Sequence, residues 1–174
     1  MTTHSTNEIT LHRVTEEDWE SHRDLRLEML RDTPDAFWST LEENEGYGEA
    51  EWRAATRGGH FLQARRGGEV LGGLGLLTEG SVDFPLPQDA AALVAVYVAP
   101  RARGLGVGDR LVEAAKDLAR ELGRRRIVLE VGSFNEHAIA LYQRHGFRFT
   151  GATVPHPRRE DVVEREMVWE DPDA

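Results

Sequence analysis

The sequence predicts a mixed α/β fold: a central sheet of about seven strands flanked by about four helices, in one domain spanning 1–174 with an ordered core over 9–170. Three observations carry this reading. Short runs that alternate apolar with polar, or are apolar throughout, recur along the chain at strand length. Segments with apolar residues at helical spacing lie between them. In the second half, strands and helices alternate, the pattern of parallel strands joined by crossover helices. A length of 174 residues suits a single core, and the chain shows no repeat and no long linker.

The elements follow in order. ITLHRVT (Ile9 to Thr15) alternates as a strand. EEDWESHRDLRLEMLRD places Trp19, Leu25 and Met29 at helical spacing, with Thr15 as its cap and Thr33-Pro34 as its end. FWSTLEENEGYG reads as a loop with at most a helical turn, and a second helix spans Glu49 to Thr56. Strands His60 to Arg66 and Glu69 to Leu77 flank Gly67-Gly68, a tight hairpin. After a loop rich in turn formers comes an apolar strand, Ala91 to Val98. A helix follows from Val107 to Leu122, with Leu111, Ala115, Leu118 and Leu122 on one face and Gly123 as its stop. Strand Arg125 to Val131, helix Asn135 to His145, and strands Phe147 to Ala152 and Val162 to Trp169 complete the set.

Composition narrows the function. No cysteine is present, which removes disulfides, zinc-thiolate sites and cysteine nucleophiles and suits a reducing cytoplasm. The N-terminal MTTHSTNEITLH lacks the apolar stretch of a signal peptide, and no run reaches the ~18 apolar residues of a membrane helix. A net charge of −10 argues against a nucleic-acid binder. It suits cationic substrates, and serves solubility equally well. The seven histidines are scattered with no HExxH, so no metal is expected. His137 and His145 are expected on the exposed side of their helix.

The stretch RARGLGVG (Arg101 to Gly108) sits between an apolar strand and a helix. Strand, glycine-rich turn, helix is an arrangement that offers backbone N–H groups and a helix N-terminus to a phosphate. Arg101 and Arg103 can add formal charge. The spacing departs from both GxxxxGK[ST] and GxGxxG, and a tight turn that needs glycine for its backbone angles is the purely architectural alternative.

VYVAPRARGLGVGDRLVEAA resembles the acyl-CoA signature R-x-x-G-x-G/A of the GNAT superfamily of N-acyltransferases, with Arg103, Gly106 and Gly108 filling the pattern. A second block, LEVGSFNEHAIALYQRHGF (Leu129 to Phe147), is similar to the later motif of that family, and LRLEMLRDTPDAFWSTLEE is similar to its early helices.

The resemblance implies acetyl-CoA as co-substrate and direct acetyl transfer to a primary amine of a small molecule or a protein N-terminus. It implies that Val96, Tyr97 and Val98 pair with the pantetheine amides at a V-shaped opening between two splayed parallel strands, with the Val98 N–H polarising the thioester. Gly104, Leu105, Gly106, Val107, Gly108 and Asp109 then offer main-chain N–H groups to the pyrophosphate, and Arg103 completes that motif. Asn135 contacts the pantetheine arm, or caps its helix, or both. Tyr142 protonates the leaving thiolate, or packs its ring.

Many members place a base in the strand before the glycine loop, but LVAVYV carries no acid. Bacterial ribosomal-protein N-terminal acetyltransferases resemble this chain in LEV…N…AIALY, which nominates Glu130 as base, on the strand face opposite Leu129 and Val131. The alternatives are a structural acid there, or water wires. Arg124 to Arg126 either reach the 3′-phosphate of the cofactor or form a solvated strand entry. The acceptor would lie among the early helices, the loop Phe37 to Gly48 and the segment Thr153 to Asp161, where Glu42, Glu43 and Glu45 favour a cation and Arg158 and Arg159 favour a carboxylate. Dimers are frequent in the family, with strand Val162 to Trp169 able to take part. A catalytically silent acyl-CoA sensor of the same fold, and a phosphate or nucleotide binder, are the competing functions.

Overall fold

A computed structural model describes residues 7–174; the first six residues of the polar N-terminal segment lie outside them. Seven strands form one sheet in the order β1-β2-β3-β4-β5-β7-β6. They are β1 (Thr10–Arg13), β2 (His60–Arg66), β3 (Glu69–Leu77), β4 (Ala90–Val98), β5 (Arg126–Gly132), β6 (Arg148–His156) and β7 (Arg159–Glu170). The helices are α1 (Trp19–Asp32), α2 (Leu41–Glu45), α3 (Glu49–Arg57), α4 (Val107–Glu121) and α5 (Glu136–Arg144). Strands β4 and β5 are parallel, joined through α4, and their neighbours pair antiparallel. The mixed sheet expected from the sequence is therefore present, with β2 and β3 at the expected bounds.

Helix α4 lies on one face of the sheet. Its Leu111, Val112, Ala115 and Ala119 are fully buried against Leu71, Leu76 and Ile127. On the other face α1 buries Leu25, Met29 and Leu30 with Phe37, Tyr97 and Ala99. Thr15 caps as expected, though over a turn of 3-10 helix (Glu16–Asp18) that precedes α1: its N–H donates to the Asp18 carboxylate at 2.7 Å.

Two segments are more ordered than the sequence suggests. FWSTLEENEGYG contains a true helix, α2, held by a capping box: Glu43 N–H donates to Thr40 Oγ1 at 3.2 Å and Thr40 N–H donates to Glu43 at 3.0 Å. The segment from Thr153 to Asp161, which reads as a loop for its prolines and charges, is the end of a long hairpin. Strand β6 runs on to His156, which pairs with Arg159. Pro155 is tolerated because β6 is an edge strand, where a missing N–H breaks no ladder on its outer side.

One end of the β4–β5 pair is braced from the preceding loop. The N–H groups of Arg125 and Arg126 both donate to the Asp89 carbonyl, at 2.8 and 3.1 Å. The Arg126 guanidinium grips the Asp89 carboxylate at 2.6 and 3.0 Å, and Arg124 bonds the Gln88 carbonyl. The basic run thus serves as a strand entry, far from the open end of the sheet.

Candidate active site

Strands β4 and β5 share three register pairs, Ala90 to Ala92 with Arg126 to Val128, and then separate. Beyond Ala92, among the described residues, no strand covers the β5-facing edge of Val96, Tyr97 and Val98. A bulge sharpens the divergence. Gly73 faces Tyr97 but Gly75 faces Val94, so β4 carries an extra residue there, and Ala95 takes a positive φ of 53°. Such an angle is unusual for a residue with a side chain and marks a backbone held by its surroundings. The glycines of β3 make room for it: a Cβ on Gly72 would run into the Tyr97 carbonyl. The gap between the strands opens into a cleft of ≈ 1230 Å³ that reaches both faces of the sheet end.

The glycine stretch lies at the mouth of this gap. After a 3-10 turn (Pro100–Ala102), Gly104 and Gly106 adopt φ of 80° and 76°, the left-handed region that glycine enters without strain. The first bond of α4 runs from Arg110 N–H to the Gly106 carbonyl, 3.1 Å. The amides of Val107, Gly108 and Asp109 therefore head the helix without intrahelical partners. Space around Gly104 and Gly106 is open, while a Cβ on Gly108 would press on Leu141 of α5 at 3.2 Å. Leu105 is exposed beside the loop. These residues fit a pyrophosphate-bearing ligand: a bare backbone concavity with free N–H groups and the positive end of a helix.

The arginines ahead of the glycines are otherwise engaged. Arg101 pairs with Glu28 and Glu69. Arg103 donates to Asp32 at 2.8 Å and to the Val98 carbonyl at 3.2 Å. Asp32 also accepts from the Tyr97 hydroxyl at 3.1 Å, so the ring of Tyr97 belongs to the α1 face and only its backbone fronts the cleft. Asp109 bonds Arg144 at 3.0 Å and His145 at 2.8 Å, and His145 also meets Glu113 at 2.6 Å. The His145 side chain is only 11% exposed, which corrects the expectation of an exposed histidine: the carboxylates of α4 draw it in and clamp α5 to α4. His137 is exposed as expected.

Helix α5 brings two expected residues to the cleft. Asn135 is its N-cap, accepting from Ala138 N–H at 3.2 Å, and lines the cleft as well. Tyr142 is buried, its ring tilted against Phe147 at 5.7 Å, and borders the same space. Burial alone pushes its hydroxyl pKa up, so it is a protonated phenol.

Glu130 lies on the cleft face of β5, opposite the buried Leu129 and Val131. Register sets Glu166 of β7 directly across from it, with Glu164 across from Gly132, so three carboxyls share one face. Burial, then the charge of Glu164, a hydrogen bond with it and the charge of Glu166 lift the Glu130 pKa from an ordinary 4.5 to about 7. Glu164 is buried and accepts from Trp38 Nε1 at 2.8 Å. Glu166 accepts from Thr150 Oγ1 at 2.9 Å. Burial and the neighbouring carboxylates thus keep the Glu130 carboxyl protonated to a higher pH than an ordinary glutamate.

The other end of the cleft, where the sequence reading places an acceptor, is built by α1, the loop 33–48 and the hairpin end. Arg158 donates to the carbonyls of Pro34, Phe37 and Trp38, and Arg159 pairs with Asp35 at 2.8 Å. These arginines pin the loop to the hairpin. Inside, His22 stacks edge-on to Phe61 at 4.6 Å; burial and then the charge of Arg26 hold its pKa near 4, so it is neutral. Arg26, Trp38 and Glu164 line this end without having been singled out from the sequence. For Glu164 a signal existed: Val162, Glu164, Glu166 and Val168 share one strand face, and an acid among buried valines is out of pattern.

Residues 12–147 match the acetyltransferase (GNAT) family. An IAA acetyltransferase of Azospirillum brasilense is 36% identical over 55% of this chain and 59% of its own length. The N-acetyltransferase YjgM of Escherichia coli is 38% identical over 46% of each chain. The chain spans about half the length of these curated relatives. Among solved structures, yncA of Salmonella typhimurium, determined with its cofactor acetyl-CoA, superposes with a TM-score of 0.77 at 21% identity over 97% of this chain and 96% of that one. A GNAT acetyltransferase of Streptococcus pneumoniae gives 0.76 at 18% identity over 94% and 99%.

Proposed function

The chain belongs to the acetyltransferase (GNAT) family, and from that premise we propose that it transfers an acetyl group from acetyl-CoA to a primary amine by direct attack in a ternary complex. The observation that carries the reading is the junction of three features in one cleft: the uncovered edge of β4, the glycine-headed helix α4, and Glu130, whose pKa is raised to about 7 by burial and neighbouring acids.

Acetyl-CoA is a substrate here. Residues 104–109 hold its pyrophosphate through main-chain N–H groups, and Val96 to Val98 pair with its pantetheine amides. A thioester is already activated, so the chain has to align the reactants and move protons. The amine arrives mostly as a cation and gives its proton to Glu130, directly or through a water. Its nitrogen lone pair then forms the C–N bond at the thioester carbonyl, whose oxygen the Val98 N–H polarises. The C–S bond breaks, the thiolate takes the phenolic proton of Tyr142, and the nitrogen gives up its second proton, which through water restores the phenol and leaves a neutral amide. A pKa near 7 suits Glu130 to this work, since a base matched to ambient pH both exists as carboxylate and still holds a proton.

The test is calorimetry with acetyl-CoA, ATP and NAD, followed by a thiol-release assay over small amines, amino acids and peptide N-termini. Acetyl-CoA is expected to bind tightest and to release free thiol with at least one acceptor class. Binding without release across the panel would make the protein a silent acyl-CoA sensor, and preference for ATP or NAD would overturn the reading.

A further inference from the structure

Arg26 projects from α1 into the acceptor end of the cleft, and no acid among the described residues meets it. Its guanidinium donates to Ser39 Oγ at 2.6 Å and to Met29 Sδ at 3.6 Å, and lies 5.5 Å from the Phe37 ring centre. Its neighbours on the same helix behave differently: Arg23 pairs with Asp24 at 2.9 Å and Arg31 with Glu45 at 3.2 Å. Acids outnumber bases 31 to 21 in this chain, so a half-buried guanidinium with no carboxylate among the described residues is out of keeping with its setting. Burial lowers its pKa, and the neutral His22 beside it feels its charge. Taking a cation out of water without a counter-ion is costly unless something else supplies the anion.

The other charges facing the cleft are accounted for. Asp35 is bound to Arg159 and Arg103 to Asp32. Glu79, on the loop after β3, and His137, on α5, are exposed. That leaves two poles, the Glu130–Glu164 pair and Arg26. Adjacent residues of one loop hold them: Trp38 donates to Glu164, and Ser39 accepts from Arg26. Consecutive Cα atoms are only ~3.8 Å apart, so the two poles flank one short piece of backbone. Around them the wall is aromatic, formed by His22, Phe37, Tyr47, Trp52 and Phe61.

We propose that the acceptor is a small zwitterion, an amino acid with an apolar side chain, whose amine meets the Glu130–Glu164 pair and whose carboxylate meets Arg26. The inference deepens the acetyl-transfer reading and rests on it. A guanidinium fork matches a carboxylate with two parallel N–H donors, which a peptide N-terminus, lacking a carboxylate beside its amine, cannot use. The aromatic wall takes the side chain.

The experiment compares L-phenylalanine, L-phenylalanine amide and phenethylamine as acceptors with the wild-type protein, then with Arg26→Lys and Arg26→Met. The wild type is expected to favour the free amino acid over the other two by ~10²-fold in kcat/KM, through KM. Arg26→Met should erase that preference while acetyl-CoA affinity is kept, and Arg26→Lys should retain part of it. Equal use of all three acceptors by the wild type, or a preference that survives Arg26→Met, overturns the proposal, and the wild-type ratio decides even if a variant fails to fold. Should no acceptor release thiol, calorimetry with L-phenylalanine separates the two readings: binding lost in Arg26→Met upholds the zwitterion site without catalysis, and no binding to the wild type overturns it.

Discussion

The two ends of the cleft are built from different materials. At the end proposed to hold the cofactor the exposed features are backbone: left-handed Gly104 and Gly106, the amides that head α4, and the uncovered edge of β4. At the end proposed to take the acceptor they are side chains brought from far apart in the chain, Arg26, Trp38, Glu130 and Glu164. Backbone chemistry is the same for every sequence, so an end made of it can recognise only what all acetyl-CoA molecules share. Side chains can be exchanged without disturbing the sheet, so that end is free to specify an acceptor.

The sharpest way to break this contrast is at the glycines. Gly106→Val forces a branched side chain into φ near 76°, and Gly108→Val drives atoms into Leu141. Each is expected to weaken acetyl-CoA by at least ~10²-fold, about 2.7 kcal/mol, in calorimetry on folded protein. Unchanged affinity in both would mean that the cofactor end does not work through its backbone.

A second comparison asks whether the chemistry belongs to either end. Tyr142→Phe keeps the ring that packs on Phe147 and removes only the proton. The expected result is turnover lowered by ~10²-fold with acetyl-CoA affinity nearly intact, measured where chemistry limits the rate. Wild-type turnover would assign the thiolate's proton to water.

The smallest effect tests the acceptor end through pH. Rates with amines should rise as Glu130 loses its proton near pH 7, and Glu130→Gln should remove that limb and lower kcat/KM. Stability supplies an independent readout. A carboxyl whose folded pKa is raised stabilises in full below its unfolded value of 4.5, and that contribution is lost as pH climbs through about 7. Glu130→Gln should therefore match the wild type at pH 4 and melt higher at pH 8. Equal melting at both would remove the buried-pair account.

The same contrast explains what the sequence could tell. The strand–glycine–helix unit is contiguous, so its parts are legible in RARGLGVG, and strict alternation in β5 assigns Glu130 its face. The bulge at Ala95 left no trace, because nothing about an alanine among valines announces a positive φ. Arg26 and Trp38 were hidden for another reason: a charged residue on an early helix and a tryptophan in a loop look like any others until tertiary structure sets them in one cleft. The capping box of α2 was readable as T-x-x-E and was obscured only by its polar surroundings.

The brace at Asp89 has a mechanical meaning. The seven strands are two half-sheets, β1 to β4 and β5 to β6, joined at a seam three residue pairs long and free beyond it. From the seam at Ala92 to Val98 the strand extends ~20 Å at ~3.3 Å per residue. A rotation of about 3° at the seam therefore displaces the far end by ~1 Å, the scale of misplacement that can cost an aligned reaction ~10²-fold. Arg126 and Asp89 stand at the fulcrum of that lever. The width of the mouth is set at the opposite end of the strands.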